Sequence, residues 1–235
     1  MKAFLITLLL LCSPTVDAKK KGSKKKKEPP KLEGDHASAA LHLAAKKGHT
    51  KAVREILDAG VDPNAMWKGT TAMALAAGAG HEDCVAILLG ANADVNKGNP
   101  LAHAASTGHF SALRWLLSAN GIKVDQRTTH AIGEAQAGAT ALHIAVGRGY
   151  LQEVEVLLKS GADPRLRDGK GEDVMHVARR AAARSIVEPA FLNECIEKGG
   201  GDFKSVVATI DRALGGSGQH FVPNIPKAKA EKVEL

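Results

Sequence analysis

The sequence predicts an all-α fold of repeated helix pairs, and three observations carry that prediction. Aromatic residues make up 3% of the 235-residue chain while glycine occurs 24 times, a composition that suits close helix packing better than strands rich in aromatic and β-branched residues. One pattern of residues recurs along most of the chain at a roughly constant interval. Within each copy the apolar residues fall at helical spacing, in two runs separated by a glycine.

In chain order, the first element is "MKAFLITLLLLCSPTVDA". It combines basic Lys2, an apolar stretch from Ala3 to Cys12 and the small-residue site Val16-Asp17-Ala18, the three parts of a secretory signal. The stretch is about half the length a membrane-spanning helix needs, so residues 1–18 read as a cleaved signal peptide. Residues 19–33 follow, with "KKKGSKKKKEPPK" at their core. Like charges and the lack of apolar side chains leave this segment nothing to bury, so it reads as a disordered polybasic linker. The formal net charge of +7 is concentrated here: residues 1–31 hold nine of the 32 basic and two of the 25 acidic side chains, leaving 23 of each for the remainder. The folded body is neutral.

Residues 34–199 carry the repeat. "AALHLAAKKGHTKAVREILDAGVDPN", "TAMALAAGAGHEDCVAILLGANADVN", "NPLAHAASTGHFSALRWLLSANGIKVD" and "TALHIAVGRGYLQEVEVLLKSGADPR" align, with "DVMHVARRAAARSIVEPAFLNECIEKGG" as a divergent fifth copy. The anchors Leu41, Met73, Leu101, Leu142 and Met175 are separated by 32, 28, 41 and 33 residues, so one connection is shortened and one, after Val124, is lengthened. Thr71, Asn99 and Thr140 read as N-cap residues, and Pro100 takes a first helical position where its missing N–H costs nothing. Gly48, Gly80, Gly108 and Gly149 end the first helices. Gly60 and Gly161 end second helices in the left-handed conformation, with Asn92 as the next best residue in the second copy. Residues 200–216 place Phe203, Val206, Val207, Ile210 and Leu214 at helical spacing behind Asp202 and read as a C-terminal capping helix, which stacked arrays require. Residues 217–235, broken by glycine and proline, read as a flexible tail ending in KVEL.

These copies resemble the ankyrin-repeat family, whose pattern T-P-L-H-x-A-A, G-H and V-x-x-L-L-x-x-G-A-D-V-N they follow over about 70% of the chain. The resemblance implies an all-α ankyrin-repeat solenoid of about five helix-turn-helix repeats. It also assigns His42, His143 and His176 to the family's structural histidine, which Ala74 and Ala102 replace mid-stack, and implies a protein partner held on a concave surface of hairpin tips and first-helix ends. Carried over position by position, the tips are Met66, Trp67 and Lys68, then Lys97, then Gln126, Arg127 and Thr128, then Arg165, Arg167 and Asp168. The helix ends are Lys46, Lys47, Thr107, Arg148 and Arg179. Trp67 is the anchor expected to matter most, since tryptophan is enriched among binding hot spots.

No catalytic motif, P-loop or dinucleotide fingerprint occurs. The histidines lack ligand spacing and the three cysteines (Cys12, Cys84, Cys195) form neither a disulfide framework nor a metal pair. The reading is a non-enzymatic module with no cofactor, no metal and no small-molecule substrate, scaffolding another protein in the secretory pathway. Lys232, Val233, Glu234 and Leu235 differ at one place from the K-D-E-L address, so the compartment expected is the endoplasmic reticulum lumen, with secretion as the alternative. A competing reading is a nuclear or cytosolic adaptor whose lysine block meets nucleic acid. It is weakened by the absence of interleaved aromatic residues for base stacking.

Overall fold

The computed structural model of the protein describes residues 35–133, 135–187 and 200–215. Among these residues ten helices follow in pairs: α1 (Asp35–Lys46) with α2 (Thr50–Asp58), α3 (Ala72–Gly78) with α4 (Glu82–Gly90), α5 (Pro100–Thr107) with α6 (Phe110–Ser118), α7 (Ala141–Arg148) with α8 (Leu151–Lys159), and α9 (Val174–Val187) with α10 (Phe203–Ala213). Odd-numbered helices pack on one another in one layer and even-numbered helices in a second. The expected signal peptide, the linker, the tail with Lys232 to Leu235, and Cys12 and Cys195 lie outside the described residues.

The packing follows from side-chain size and period. Leu41, Met73, Leu101 and Leu142 are buried at equivalent places in the odd layer, and Val53, Val85, Leu113 and Val154 in the even layer, within one continuous apolar core that runs from Leu41 to Ile210. Ala44, Ala76, Ala77, Ala104, Ala105 and Ala145 are buried between them, and their small side chains let the layers approach closely. Helix α10 packs against α9 and α8, the place an even-numbered helix holds in every other pair. It buries Phe203, Val206, Val207 and Ile210, and Asp202 opens it by accepting from the Ser205 N–H. Residues 188–199, the remainder of the fifth copy, are outside the described residues.

The turn from odd to even helix is the tightest point of each repeat. Gly48, Gly80, Gly108 and Gly149 all take φ between 71° and 75°, a left-handed conformation that L-residues avoid. At Gly48 and Gly80 a Cβ would come within 2.6 Å of the His81 and His109 rings, so the histidine opening each even helix lies over the preceding glycine turn. The His81 Nε2 also faces the Lys46 carbonyl oxygen at 3.1 Å. Asn92 is left-handed, at φ 58°.

Two of the three expected caps form. The Thr71 hydroxyl oxygen accepts from the Ala74 N–H at 3.3 Å, and Thr140 donates to the His143 Nδ1 from both its N–H (3.4 Å) and its hydroxyl (2.8 Å). Asn99 differs from the expectation. The shortened connection before α5 turns through left-handed Gly98 and Asn99, and with φ 53° Asn99 lacks the extended backbone a side-chain cap requires.

The connecting tips are joined by short polar side chains, each reaching one repeat forward. Asn64 Oδ1 accepts from Asp94 N at 2.6 Å, Asn96 Oδ1 from Lys123 N at 2.8 Å, and Asp125 Oδ1 from Asp163 N at 3.1 Å. The first tip is also a two-stranded hairpin, β1 (Met66–Trp67) and β2 (Thr70–Thr71), with Met66 opposite Thr71. Its loop is left-handed Lys68 and Gly69, φ 52° and 80°, the geometry that matches strand twist in two-residue hairpins.

A candidate binding cleft walled by the insertion

The lengthened connection between α6 and α7 folds into a hairpin of its own. Thr128 N donates to the Ala139 carbonyl at 2.9 Å, Gly138 N donates to the Thr128 carbonyl at 2.7 Å, and Ile132 and Ala135 exchange backbone bonds at 3.1 Å. The Thr128 hydroxyl donates to the Gln136 carbonyl at 3.3 Å. The sequence marks this segment only as a lengthened connection after Val124. The structure shows it docked on the tip between α8 and α9. A Cβ on Gly169 would lie 2.0 Å from the Ala137 carbonyl oxygen, and one on Gly138 would lie 3.0 Å from Gly169 N. Two backbones therefore meet through facing glycines. Arg127 clasps the contact by donating from Nη1 to the carbonyls of Gly138 and Arg167.

The docked hairpin closes one side of a cleft of about 280 Å³. Ile132, Ala135 and Ala139 line that side, Ile144 and Arg148 come from α7, and Val177, Arg180 and Arg184 from α9. The tip contributes Asp168 and Lys170. The Asp168 carboxylate is turned away from solvent and accepts from the N–H groups of Lys170 (2.8 Å) and Glu172 (3.0 Å), which shapes the tip. Arg180 is ion-paired with Glu172. Burial holds the His143 pKa below its ordinary value. Its neutral ring accepts at Nδ1 from Thr140, which leaves Nε2–H to donate to the Glu172 carbonyl at 3.3 Å. Beside the cleft on α5, His103 is pushed down to about 4 by burial, with the neighbouring His130 of the insertion adding to the shift; the two ring centroids are 6.3 Å apart.

The residues singled out from the sequence divide sharply. Lys46, Lys47, Lys68, Lys97, Arg165, Arg167 and Arg179 are exposed, and Met66 is 48% exposed. Gln126 and Thr107 are half-buried and direct polar atoms inward: Gln126 Nε2 donates to the Asn96 carbonyl, and the Thr107 hydroxyl faces the carbonyls of His103 and Ala104. Arg127 is exposed but serves the clasp. Three residues expected at the surface are buried, namely Thr128 at 3%, Arg148 at 8% and Asp168 at 8% exposure, because the insertion hairpin and its docking contact enclose them. Trp67 is half-buried rather than exposed; its ring lies 5.9 Å from the His42 ring, and Lys68 Nζ sits 4.5 Å from its centroid. The more exposed tryptophan is Trp115, at 47%. Its position could have been read from the period of α6, since Ala112, Leu113 and Leu116 define the buried face and Trp115 falls outside it.

Of the residues named from sequence, the cleft gathers Arg148 and Asp168. Sequence reasoning missed Lys170, Arg180 and Arg184, which lie beyond the tip and helix-end positions that the family pattern marks. Among the described residues no group of three or more His, Cys, Asp or Glu side chains could hold a metal ion, and no helix is long and apolar enough to cross a membrane.

Comparison with known proteins bears on what such a face does. A family model described as "Ankyrin repeats" matches the chain three times, over residues 5–99, 41–128 and 101–189. The B-cell lymphoma 3 protein homolog of Mus musculus is 28% identical over 155 residues, which cover 61% of this chain and 33% of that protein. The ankyrin repeat and KH domain-containing protein mask-1 of Caenorhabditis elegans is 33% identical over 160 residues, 64% of this chain and 6% of that protein. The ankyrin repeat and SOCS box protein 16 of Mus musculus is 30% identical over 165 residues, 64% and 36% respectively. The chain thus matches little more than a third of the length of these relatives, or less.

Proposed function

The chain belongs to the ankyrin-repeat family, and from that premise we propose that it is a non-enzymatic protein-binding module of the secretory pathway, recognising its partner on the face made by the odd-numbered helices and the tips. The observation that carries the binding reading is the cleft walled by Ile132, Gly133, Ala135 and Ala139: an insertion held against the stack by backbone and side-chain bonds encloses mixed apolar and cationic lining on that face, the composition of a recognition site. The luminal reading is supported by Lys2 followed by the apolar Ala3–Cys12, and by the KVEL letters at 232–235.

Two measurements test this. A photo-crosslinking amino acid placed at Lys170 on the cleft should capture a protein partner in cells, and the same group at Arg114 on α6 should not; equal capture from both sites removes the assignment of the face. Deleting residues 232–235 should move the protein from cells into the medium. Equal secretion of the intact and deleted forms would remove the retention reading and leave the protein extracellular.

A further inference from the structure

Of the asparagines in the chain, Asn120 alone is followed by glycine, and that pairing carries a specific chemistry. The backbone nitrogen after an asparagine can attack the side-chain carboxamide and close a succinimide ring, one reason asparagine is a thermolabile residue. A glycine nitrogen attacks most readily because no Cβ crowds it. At the other described asparagines the fold opposes this step. Asn64 Oδ1 accepts from the Asp94 N–H, and Asn96 is held at both side-chain atoms, Oδ1 accepting from Lys123 N and Nδ2 donating to the Gly121 carbonyl. The nitrogen after Asn92 donates to the Leu88 carbonyl. Asn99 is followed by Pro100, whose nitrogen carries no hydrogen to lose.

Asn120 has none of these restraints. It is exposed in the turn that follows α6, and among the described residues neither its carboxamide nor the Gly121 N–H has a hydrogen-bond partner. Gly121 is left-handed at φ 80°, and a Cβ built on it would meet nothing within 4 Å, so the space around the turn is open. The chain's Asp–Gly pair, which could close the same ring, supplies the contrast. The Asp168 carboxylate is buried and accepts from two backbone N–H groups, and Gly169 is pressed against the Ala137 carbonyl.

We propose that Asn120 is a site of spontaneous covalent modification, where the Gly121 nitrogen displaces the side-chain amide and water opens the resulting succinimide to aspartate or isoaspartate. The Gly121 nitrogen loses its proton and bonds to the Asn120 Cγ, the Cγ–Nδ2 bond breaks, and ammonia leaves. Water then cleaves the ring at one of its two carbonyls. Cleavage at Cγ restores the ordinary backbone with an aspartate, and cleavage at the backbone carbonyl routes the main chain through the side chain as isoaspartate. Either product adds a carboxylate to an exposed tip. Isoaspartate also inserts a methylene into the main chain just before Gly121, whose carbonyl Asn96 Nδ2 holds at 2.9 Å. It therefore loosens the link between the second tip and the third, which the aspartate product leaves in place.

The test ages the purified full chain at neutral pH and body temperature, follows intact mass and ammonia release, and maps isoaspartate in peptides by labelling with an isoaspartyl methyltransferase. Label should appear first in the peptide that contains Asn120 and Gly121, and Asn120→Gln should lose it. Because that variant replaces an exposed side chain without partners, circular dichroism should show the parent fold. The Lys123 N–H, which Asn96 Oδ1 accepts, should exchange with deuterium faster in the aged protein than in Asn120→Asp. Equal exchange in the two would overturn the coupling to the second tip. Isoaspartate arising first at another position overturns the site itself. So does an Asn120 that stays intact while a synthetic peptide of residues 116–125 deamidates under the same conditions, since the fold would then shield the turn.

Discussion

The connection from α2 to α3 and the connection from α6 to α7 perform one task, carrying the chain from one repeat to the next, with different chemistry. The first turns through Lys68 and Gly69 in a minimal hairpin and leaves Met66 outside, with Trp67 half-buried beside His42. The second is lengthened and folds back; it buries Ile132 and Thr128, clasps the next tip through Arg127, and encloses a volume. Where the repeat is regular, backbone pairing satisfies the turn and what remains is a surface. Where it is interrupted, extra backbone polar groups need partners, and the hairpin that supplies them also builds a wall. The regular end offers an exposed tip and the interrupted end a cleft, although the helices beneath them are the same.

The comparison breaks first at the core. Leu41 and Leu142 occupy equivalent buried positions at the two ends, so alanine at either should cost about 2–5 kcal/mol in chemical denaturation. A loss at Leu142 well below that at Leu41 would mean that the interrupted end is not held by the stack. A smaller effect separates the ends by pH. His103 has a folded pKa of about 4 against the ordinary 6.5, so it is neutral in both states at neutral pH. As pH falls below about 6.5 the unfolded chain binds the proton first, and stability should fall until about pH 4, by an amount on the order of 2–3 kcal/mol. His103→Gln should remove that part of the acid dependence in denaturation curves taken from pH 7 to 4; an unchanged dependence would show that the ring is not held neutral against the insertion. The smallest effect is at the regular end. Trp67→Ala removes one half-buried ring and its contact with His42 and should cost about 1 kcal/mol in thermal melts, less than Leu41→Ala in the same repeat. The reverse order would mean that the tip belongs to the core.

Local rules made most of the fold legible. The glycine turns, the Asn92 end and the Thr71 and Thr140 starts depend on backbone conformation within a few residues, which the sequence states directly. Asn99 escaped because the same residue can cap a helix or take a left-handed turn, and the shortened connection decides for the turn. The insertion escaped for another reason. Its structure depends on Gly138 meeting Gly169 and on Arg127 reaching the Arg167 carbonyl, 40 residues away in the chain. Such pairings have no periodicity to read. For the same reason Thr128, Arg148 and Asp168, which a family pattern marks as surface positions, are enclosed here, while Arg180 and Arg184 come to face the cleft.

Three of the polar links between tips share one direction. In each of them the accepting side chain, on Asn64, Asn96 or Asp125, belongs to the earlier repeat and the donating N–H, on Asp94, Lys123 or Asp163, to the later one. The array is polar in the sense in which a head-to-tail polymer is polar. A chain emerging from the ribosome amino end first presents these three acceptors before the matching donors have been made, whereas the Asn96 amide and the Arg127 guanidinium donate to carbonyls, of Gly121 and Arg167, that are made after them.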